Sequence, residues 1–521
     1  MTVNSRLAAT TLGHLAGLGV TEFVICAGAR NAPLVMSLLA TCQEKGLKVY
    51  HHFDERPAAF FAMGLAKRSG HPVAVLTTSG TAVAELLPAT IEAYYSGIPL
   101  ILVTADRPSS FRGSGAPQAI EQPGIFGPYA PVALDIGGEG DFAGLSGWSR
   151  REPLHLNLCF EEPGPGECCQ EWEPVMLPEP LVTESGDVGK ILSSFCKGTD
   201  RLIVLLGELP RAWRDSVEAF LLALGAPVWA EATSGLRESA RLCEQMIRSE
   251  SLVAGLGPRQ VLRIGGVPSL RFWRDLEKRT DIEVLSLSSC DFSGLARLSR
   301  HFVRDEFPAI TMEQRTRVDG LPPFTDAKLE DSLTKHYSAE PSMVRELSRH
   351  IPREALVFLG NSLPIREWNL AASFEIPHPR AYASRGANGI DGQIATFLGL
   401  SEGEGEGEAW GIFGDLTALY DLNAPALIGQ LGRGRRRVVI LNNGGGRIFS
   451  RLPSMAGLTE PHKQVTENRH SRHFENWAAM WDLAYVRWPA GDPFPEISGE
   501  TVVIEIIPDE QSTEAFWAAR K

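Results

Sequence analysis

A series of short β-branched and aliphatic runs, each closing on Gly, Ser, Asp or another turn-forming residue, constrains this chain most. The first are EFVICAG (22–28), VAVLTTSG (73–80) and LILVTADRP (100–108), and RLIVLLGELP (201–210), QVLRIGG (260–266) and IEVLSLSS (282–289) follow. The last are EALVFLGNS (354–362), AWGIFGDL (409–416), RVVILNNGG (437–445) and TVVIEIIPD (501–509). Between them lie helix-like stretches such as PAAFFAMGLAKRSG (57–70). Near-continuous apolar strands suit parallel sheets covered on both faces, so the alternation predicts an α/β fold of doubly wound, mainly parallel sheets. In such sheets ligands gather at the carboxyl ends of the strands, so the polar tails are where chemistry is expected.

At 521 residues the chain exceeds one hydrophobic core, and a prior of ~150 residues per domain suggests roughly three. FEEPGPGECCQEWEPVMLPEP (160–180), dense in Pro, Gly and Glu, reads as a linker, and GLPPFTDAK (320–328) as a second boundary. The expected domains are 1–178, a central scaffold at 186–322, and 340–521. SEGEGEGEAW (401–410) reads as a mobile surface connection.

Composition narrows the function. The net charge of −13 argues against nucleic acid as the main partner, because phosphate binding rests on clustered Lys and Arg. The one basic cluster, GRGRRR (432–437), reads as a solvated loop before a strand. No apolar run approaches the ~18 residues of a membrane helix, and the N-terminal MTVNSRLAATTLGHLAGLGV has an amphipathic rhythm without a secretory cleavage site. A cytoplasmic protein without an integral membrane segment is expected. The eight cysteines form no C-x-x-C pair and have no histidine at zinc spacing, so neither a zinc site nor a structural disulfide is expected.

The strongest chemical signal lies in two of the strand tails. Gly414-Asp415 closes AWGIF ahead of a helix expected over LTALYDLNAPALIGQL (416–431), and Asn443 follows Asp415 by 28 positions (443 − 415). That spacing allows a helix, a basic turn and a strand, which sets the two loops side by side. The Asp415 carboxylate, the Asn443 amide oxygen and the Gly445 main-chain carbonyl then offer hard oxygen ligands that suit Mg²⁺ holding a diphosphate. Glu55, in HHFDERPAAFFAMGLA, follows a polar strand end and heads an apolar helix, a setting that favours the neutral carboxyl.

GDL…NNGG resembles the metal-diphosphate signature of thiamine diphosphate enzymes, with Leu416 where many relatives have glycine. The resemblance extends over nearly the whole chain through HFDERPAAFFAMGLA, GAPQAIEQPGIF, GNSLPIRE, SRGANGIDG, GDLTALYDLNA and NNGGGRIFSRLP. These segments are similar to the menaquinone-pathway family of 2-succinyl-5-enolpyruvyl-6-hydroxy-3-cyclohexene-1-carboxylate synthases. The resemblance implies thiamine diphosphate and Mg²⁺ as cofactors, with Mn²⁺ as a substitute. It implies decarboxylation of 2-oxoglutarate and 1,4-addition of the succinyl carbanion to isochorismate. It also implies a homodimer or homotetramer with active sites at subunit interfaces, a pyrimidine-binding N-terminal domain and a diphosphate- and Mg-binding C-terminal one.

On the family pattern Glu55 is the catalytic acid that hydrogen-bonds the aminopyrimidine ring. Gly28, Thr78, Ser79, Gly414, Leu416, Thr417, Ile390 and Asn443 match cofactor positions, Ile390 as the wedge that bends the cofactor. Asp415, Asn443 and Gly445 match the metal ligands. Arg30, Arg107, Gln118, Arg271, Ser362, Arg366 and Arg385 match substrate positions, with Ile448, Phe449 and Leu452 as an apolar wall. Ala29 stands where the family has a serine beside Arg30. Both substrates are dicarboxylates, which bidentate guanidinium groups suit. A pyruvate-directed carboligase such as an acetolactate synthase is the alternative, and it would need fewer arginines. A cofactor-binding protein without catalysis is disfavoured by the joint presence of Glu55, Asp415 and Asn443.

Overall fold

The computed structural model describes residues 1–138, 140–177, 187–197, 201–310, 326–455 and 457–520. The expected domain limits at 178, 186 and 322, with parts of both expected linkers, lie outside the described residues. The chain divides into two compact units. The first comprises Met1–Thr183, Asp391–Gly403 and Tyr420–Gly432, and the second Glu184–Ile390, Glu404–Leu419 and Arg433–Lys521.

The first unit is built on six strands: β1 (Glu22–Ile25), β2 (Lys48–His51), β3 (Val73–Thr77), β4 (Leu100–Asp106), β5 (Val132–Gly137) and β6 (Leu154–Cys159). Their order is β2-β1-β3-β4-β6-β5, with parallel pairing throughout. β1, β3 and β4 are buried along their whole length, as their unbroken apolar runs require. The helix Glu55–Ser69 starts where Asp54, in extended conformation, accepts the Arg56 N–H at 3.0 Å, and it stops at Gly70 in the left-handed region.

Asp421 anchors the two later insertions of this unit. Its buried carboxylate accepts the N–H groups of Gly392 and Ile394, both at 2.9 Å, and Arg56 Nη1 at 3.0 Å. Asn423 Nδ2 donates to Asp54 at 2.5 Å. This corrects the helix expected over 416–431, which runs only Asp415–Tyr420 before a 3-10 turn at Ala424–Gln430. Turning Asp421 inward to satisfy three donors ends it.

The second unit holds two sheets. One contains β7 (Leu202–Leu206), β8 (Val228–Ala230), β9 (Gln260–Ile264), β10 (Glu283–Ser288) and β11 (Arg300–Val303), ordered β11-β10-β9-β7-β8. The other contains β12 (Leu356–Leu359), β13 (Ala381–Tyr382), β14 (Glu408–Gly414), β15 (Arg435–Leu441), β16 (Ala484–Pro489) and β17 (Thr501–Ile507). Its order is β13-β12-β14-β15-β17-β16, and the pairings in both sheets are parallel.

Two sequence expectations are corrected here. Arg435–Arg437 are not a solvated loop but open β15, with Arg436 and Arg437 buried. Arg437 donates to the carbonyls of Gly499 at 2.9 Å and Glu500 at 3.2 Å and lies 3.4 Å from the Glu408 carboxylate, so its charge is partnered rather than hydrated. The acidic loop is also held down: Glu402, buried in the first unit, accepts the Gly432 N–H at 2.9 Å, and Glu404 in the second pairs with Arg380 at 2.6 Å.

Candidate active site

The second unit gathers its site at the tails of β12, β14 and β15. The parallel register sets Gly414 beside Leu441, so the residues that follow each strand emerge together. Asp415 is buried; its Oδ1 accepts the Leu416 N–H at 2.6 Å and its Oδ2 the Gly445 N–H at 2.8 Å. His470 Nε2 lies 3.3 Å from the same Oδ2. Gly445 has φ +135, and a Cβ there would sit 2.5 Å from the Glu467 carbonyl, so only glycine fits. The Gly445 carbonyl accepts the Arg447 N–H at 2.8 Å, which leaves it a second lone pair.

The paired asparagines part ways. Asn442 is bonded into the fold, donating to Glu505 at 2.6 Å and to the Arg472 carbonyl at 2.8 Å. Asn443 instead donates its Nδ2 to both carboxylate oxygens of Glu340, at 2.9 and 3.0 Å. Asn443 and Glu340 line one cavity with Asp415, Gly414, Leu416, Thr417, Ser362 and Ile390. Gly445, Ile448 and Phe449 complete its wall, whereas Leu452 lies outside it and closes the 3-10 turn by donating its N–H to the Phe449 carbonyl. Burial raises the pKa of Glu340, with Asp415 adding to the rise against the Asn443 hydrogen bond, and burial raises that of its buried neighbour Glu367, to which the Glu340 carboxyl adds.

The expected arginines of this unit are distributed unevenly. Ser362 holds φ +72, a region that favours glycine, and its carbonyl accepts Arg366 Nη1 at 2.5 Å. Arg385 Nη1 donates to Asn361 at 2.8 Å, and Arg385 Nε stands 3.9 Å from Glu231. Arg271 is largely exposed, 3.6 Å from Asp275 one helical turn on, and shares the field of Glu250 with Arg366.

In the first unit the tails of β1 and β3 form a second cluster. A Cβ on Gly28 would lie 2.5 Å from Thr78 Cβ, so that glycine permits the two tails to touch. The Thr78 and Ser79 hydroxyls are buried without hydrogen-bond partners. Gly80 follows, against Gln118, which itself has φ +54. Glu55 opens its helix half-buried; burial raises its pKa, and Asp54 and Glu85 add to the rise against an opposing backbone hydrogen bond. Arg107 makes no side-chain hydrogen bond or ion pair among the described residues, its backbone N–H donating to Asp106 at 2.7 Å. Arg30 is engaged: it donates to the carbonyls of Phe160 and Glu161 and pairs with Glu162 at 2.7 Å.

Residues 6–125 match the family model described as "Thiamine pyrophosphate enzyme, N-terminal TPP binding domain". A 2-succinyl-5-enolpyruvyl-6-hydroxy-3-cyclohexene-1-carboxylate synthase of Bdellovibrio bacteriovorus is 40% identical over 548 residues, covering 99% of this chain and 98% of that one. The enzyme of the same name from Akkermansia muciniphila is 40% identical over 534 residues, covering 98% and 97%. The chain belongs to this synthase family. A solved structure from Mycobacterium smegmatis, described as a candidate thiamin diphosphate-dependent enzyme, superposes with a TM-score of 0.65 over 98% of this chain at 16% identity, which supports the fold.

For a member of this synthase family, the atoms left over show whether a metal-held diphosphate fits. Asn443 Oδ1 is buried without a hydrogen-bond partner, and so are the Thr78 and Ser79 hydroxyls. Buried polar atoms are rarely left unsatisfied, so each of the two clusters, taken by itself, suits a polar group that the chain does not supply. Among the described residues, Asp106, Asp135 and Cys159 also come within 4.8 Å of one another. The Arg112 guanidinium occupies that place, 2.7 Å from Asp135 and 3.4 Å from Asp106, so it is an ion-paired cluster and no cation site. All eight cysteines are free, as expected.

Sequence reasoning missed Glu340 and Gln122. Gln122 is fully buried, accepts the Gly80 N–H at 2.9 Å and donates to Asn157 and the Ala105 carbonyl, which fixes the loop after β3. It stood in the quoted segment GAPQAIEQPGIF. Glu340 lies outside every motif, 103 residues before Asn443, and nothing local distinguishes it from a helix-capping acid.

Proposed function

We propose that this chain binds thiamine diphosphate with Mg²⁺, decarboxylates 2-oxoglutarate, and adds the resulting four-carbon unit in 1,4 fashion to isochorismate. The products are 2-succinyl-5-enolpyruvyl-6-hydroxy-3-cyclohexene-1-carboxylate and CO₂. The observation that carries the metal reading is the convergence of Asp415, Asn443 and Gly445 on one cavity, with Asn443 Oδ1 buried and unpartnered. The names of the relatives carry the product alone; the two substrates rest on the resemblance of the sequence motifs to this family.

In this reading Asp415, the Asn443 amide oxygen and the Gly445 carbonyl hold the ion, and Mn²⁺ can replace Mg²⁺. Gly414, Leu416 and Thr417 hold the diphosphate, and Gly28, Thr78 and Ser79 supply polar contacts from the other cluster. When bound, thiamine diphosphate supplies the nucleophilic carbon and electron sink that let a 2-oxo acid lose CO₂. Glu55 holds a proton on its carboxyl above the usual range, as its burial favours. Ile390 shapes the cavity, Ile448 and Phe449 exclude water, and Leu452 supports their turn. Arg107, Arg366 and Arg385, with Gln118 and Ser362, bind the substrate carboxylates. Arg30 and Arg271 serve the same end at longer range. The reading further makes the protein a cytoplasmic homodimer or homotetramer with active sites at subunit interfaces and three domains, the central one a scaffold.

Incubation with 2-oxoglutarate, isochorismate, thiamine diphosphate and Mg²⁺ tests it, with the product followed by mass. Product that requires all four additions is the expected result; release of CO₂ from pyruvate in preference to 2-oxoglutarate would overturn the substrate assignment.

A further inference from the structure

The two carboxylate oxygens of Glu340 receive the same Asn443 amide nitrogen, at 2.9 and 3.0 Å. Glu340 is 1% exposed, opens the helix Glu340–His350, and has its own N–H bound to Thr513 Oγ1 at 3.0 Å, so it has little freedom to move. An amide has one donor end and one acceptor end. With the donor end fixed against a carboxylate, the acceptor end has a single direction left, and Asn443 Oδ1 is the buried, unpartnered atom of the cavity wall. The reverse rotamer would set a carbonyl oxygen against two carboxylate oxygens.

We infer that Glu340 is a positioning residue for the metal site: by accepting from Asn443 Nδ2 it commits Oδ1 to the cation. This rests on the metal reading given above. Glu340 differs from Glu505, which holds Asn442 away from the cavity in the same way that Glu340 holds Asn443 toward it. Each asparagine of the pair thus donates to its own buried glutamate, although Glu505 also accepts from the Phe474 N–H and the Tyr485 hydroxyl, and the partner glutamate decides which amide serves the ion. Groups that orient a metal ligand typically change metal affinity 10–100-fold when removed.

The test is Mn²⁺ titrated into the full chain at saturating thiamine diphosphate, with the free ion read by electron paramagnetic resonance. Glu340→Ala should weaken Mn²⁺ binding by about 10-fold or more, whereas Glu340→Gln, which retains an oxygen acceptor for Asn443, should recover most of the loss. Glu340→Met fills the volume without an acceptor and should match the alanine variant, which keeps the test available if the alanine protein does not fold. In an Asn443→Ala background the Glu340 substitution should change affinity less than about twofold, because no amide remains to orient. Unchanged Mn²⁺ binding in the folded Glu340 variants, or an equal loss in the Asn443→Ala background, would overturn the inference. Absence of Mn²⁺ binding by the parent chain would overturn the metal reading as well.

Discussion

The Gly445 N–H donates a 2.8 Å hydrogen bond to Asp415 Oδ2, joining two strand-end loops 30 residues apart in sequence. The bond requires a backbone that only glycine tolerates, since φ is +135 and a Cβ would meet the Glu467 carbonyl at 2.5 Å. Gly445→Ala is therefore expected to cost about 1–3 kcal/mol of stability through strain. Because the loop must move, Mg²⁺-dependent thiamine diphosphate binding should also weaken by about 10-fold or more. Thermal melting and cofactor titration by tryptophan fluorescence check the two effects separately.

Glu55→Gln should lower turnover by about 10²–10⁴, the usual contribution of a positioned acid or base, while thiamine diphosphate still binds. Its effect on stability has a definite sign. The raised pKa of Glu55 means the folded state favours the protonated carboxyl, a contribution present below the unfolded value of 4.5 and lost as pH rises through the folded one. Glutamine never ionises, so in the absence of cofactor the melting temperature of the variant should gain on the parent as pH rises above that value. A difference independent of pH between 4 and 8 would contradict the perturbed environment assigned to Glu55.

His155, near the start of β6, has its Nε2 2.8 Å from Thr104 Oγ1, and burial lowers its pKa to about 4. A neutral buried histidine stabilises the fold above its unfolded value of 6.5, and that contribution is lost as pH falls toward 4. The loss is at most on the order of 3 kcal/mol. His155→Asn should be less stable at neutral pH yet show a flatter acid limb in denaturant melts taken across this window.

Arg107 and Arg30 should respond oppositely to conservative exchange. Arg107 has no side-chain partner among the described residues, so Arg107→Lys should leave the melting temperature nearly unchanged and raise KM for a dicarboxylate substrate by about 10-fold. The Arg30 guanidinium bridges two carbonyls and Glu162, so Arg30→Lys should lower thermal stability before it alters KM. Steady-state kinetics paired with melting curves distinguish the two.

The strongly apolar strands were legible because a strand buried on both faces must read as a continuous run; β3, β4, β9, β14 and β17 all lie within their expected runs to within a residue. β5 and β11 escaped because they are edge strands with exposed positions and so lack a continuous apolar run, and β2, also at an edge, was legible only as a polar strand end ahead of Glu55. β6 and β8 were buried yet missed, β6 because His155 and Asn157 interrupt its apolar pattern and β8 because it has only three residues. Asp415, Asn443 and Gly445, which line one cavity, could be singled out together because a glycine-rich turn after a strand is a local signal. Glu340 and Gln122 act through distant partners, and no spacing rule marks a residue whose only peculiarity is what it meets after folding. Arg437 misled for the same reason: its burial depends on acceptors from Glu408 and the 499–500 turn.

The first unit takes its chain from three separate pieces, and two of them, Asp391–Gly403 and Tyr420–Gly432, immediately follow Ile390 and the Asp415 helix of the second. Asp421 fastens both pieces to Arg56, next to Glu55. A fragment ending near residue 183 would therefore leave the Glu55 helix stripped of its cover and Arg56 without its counter-ion. Truncation at that point is expected to yield insoluble protein, because the missing lid is encoded far downstream, at 391–403 and 420–432.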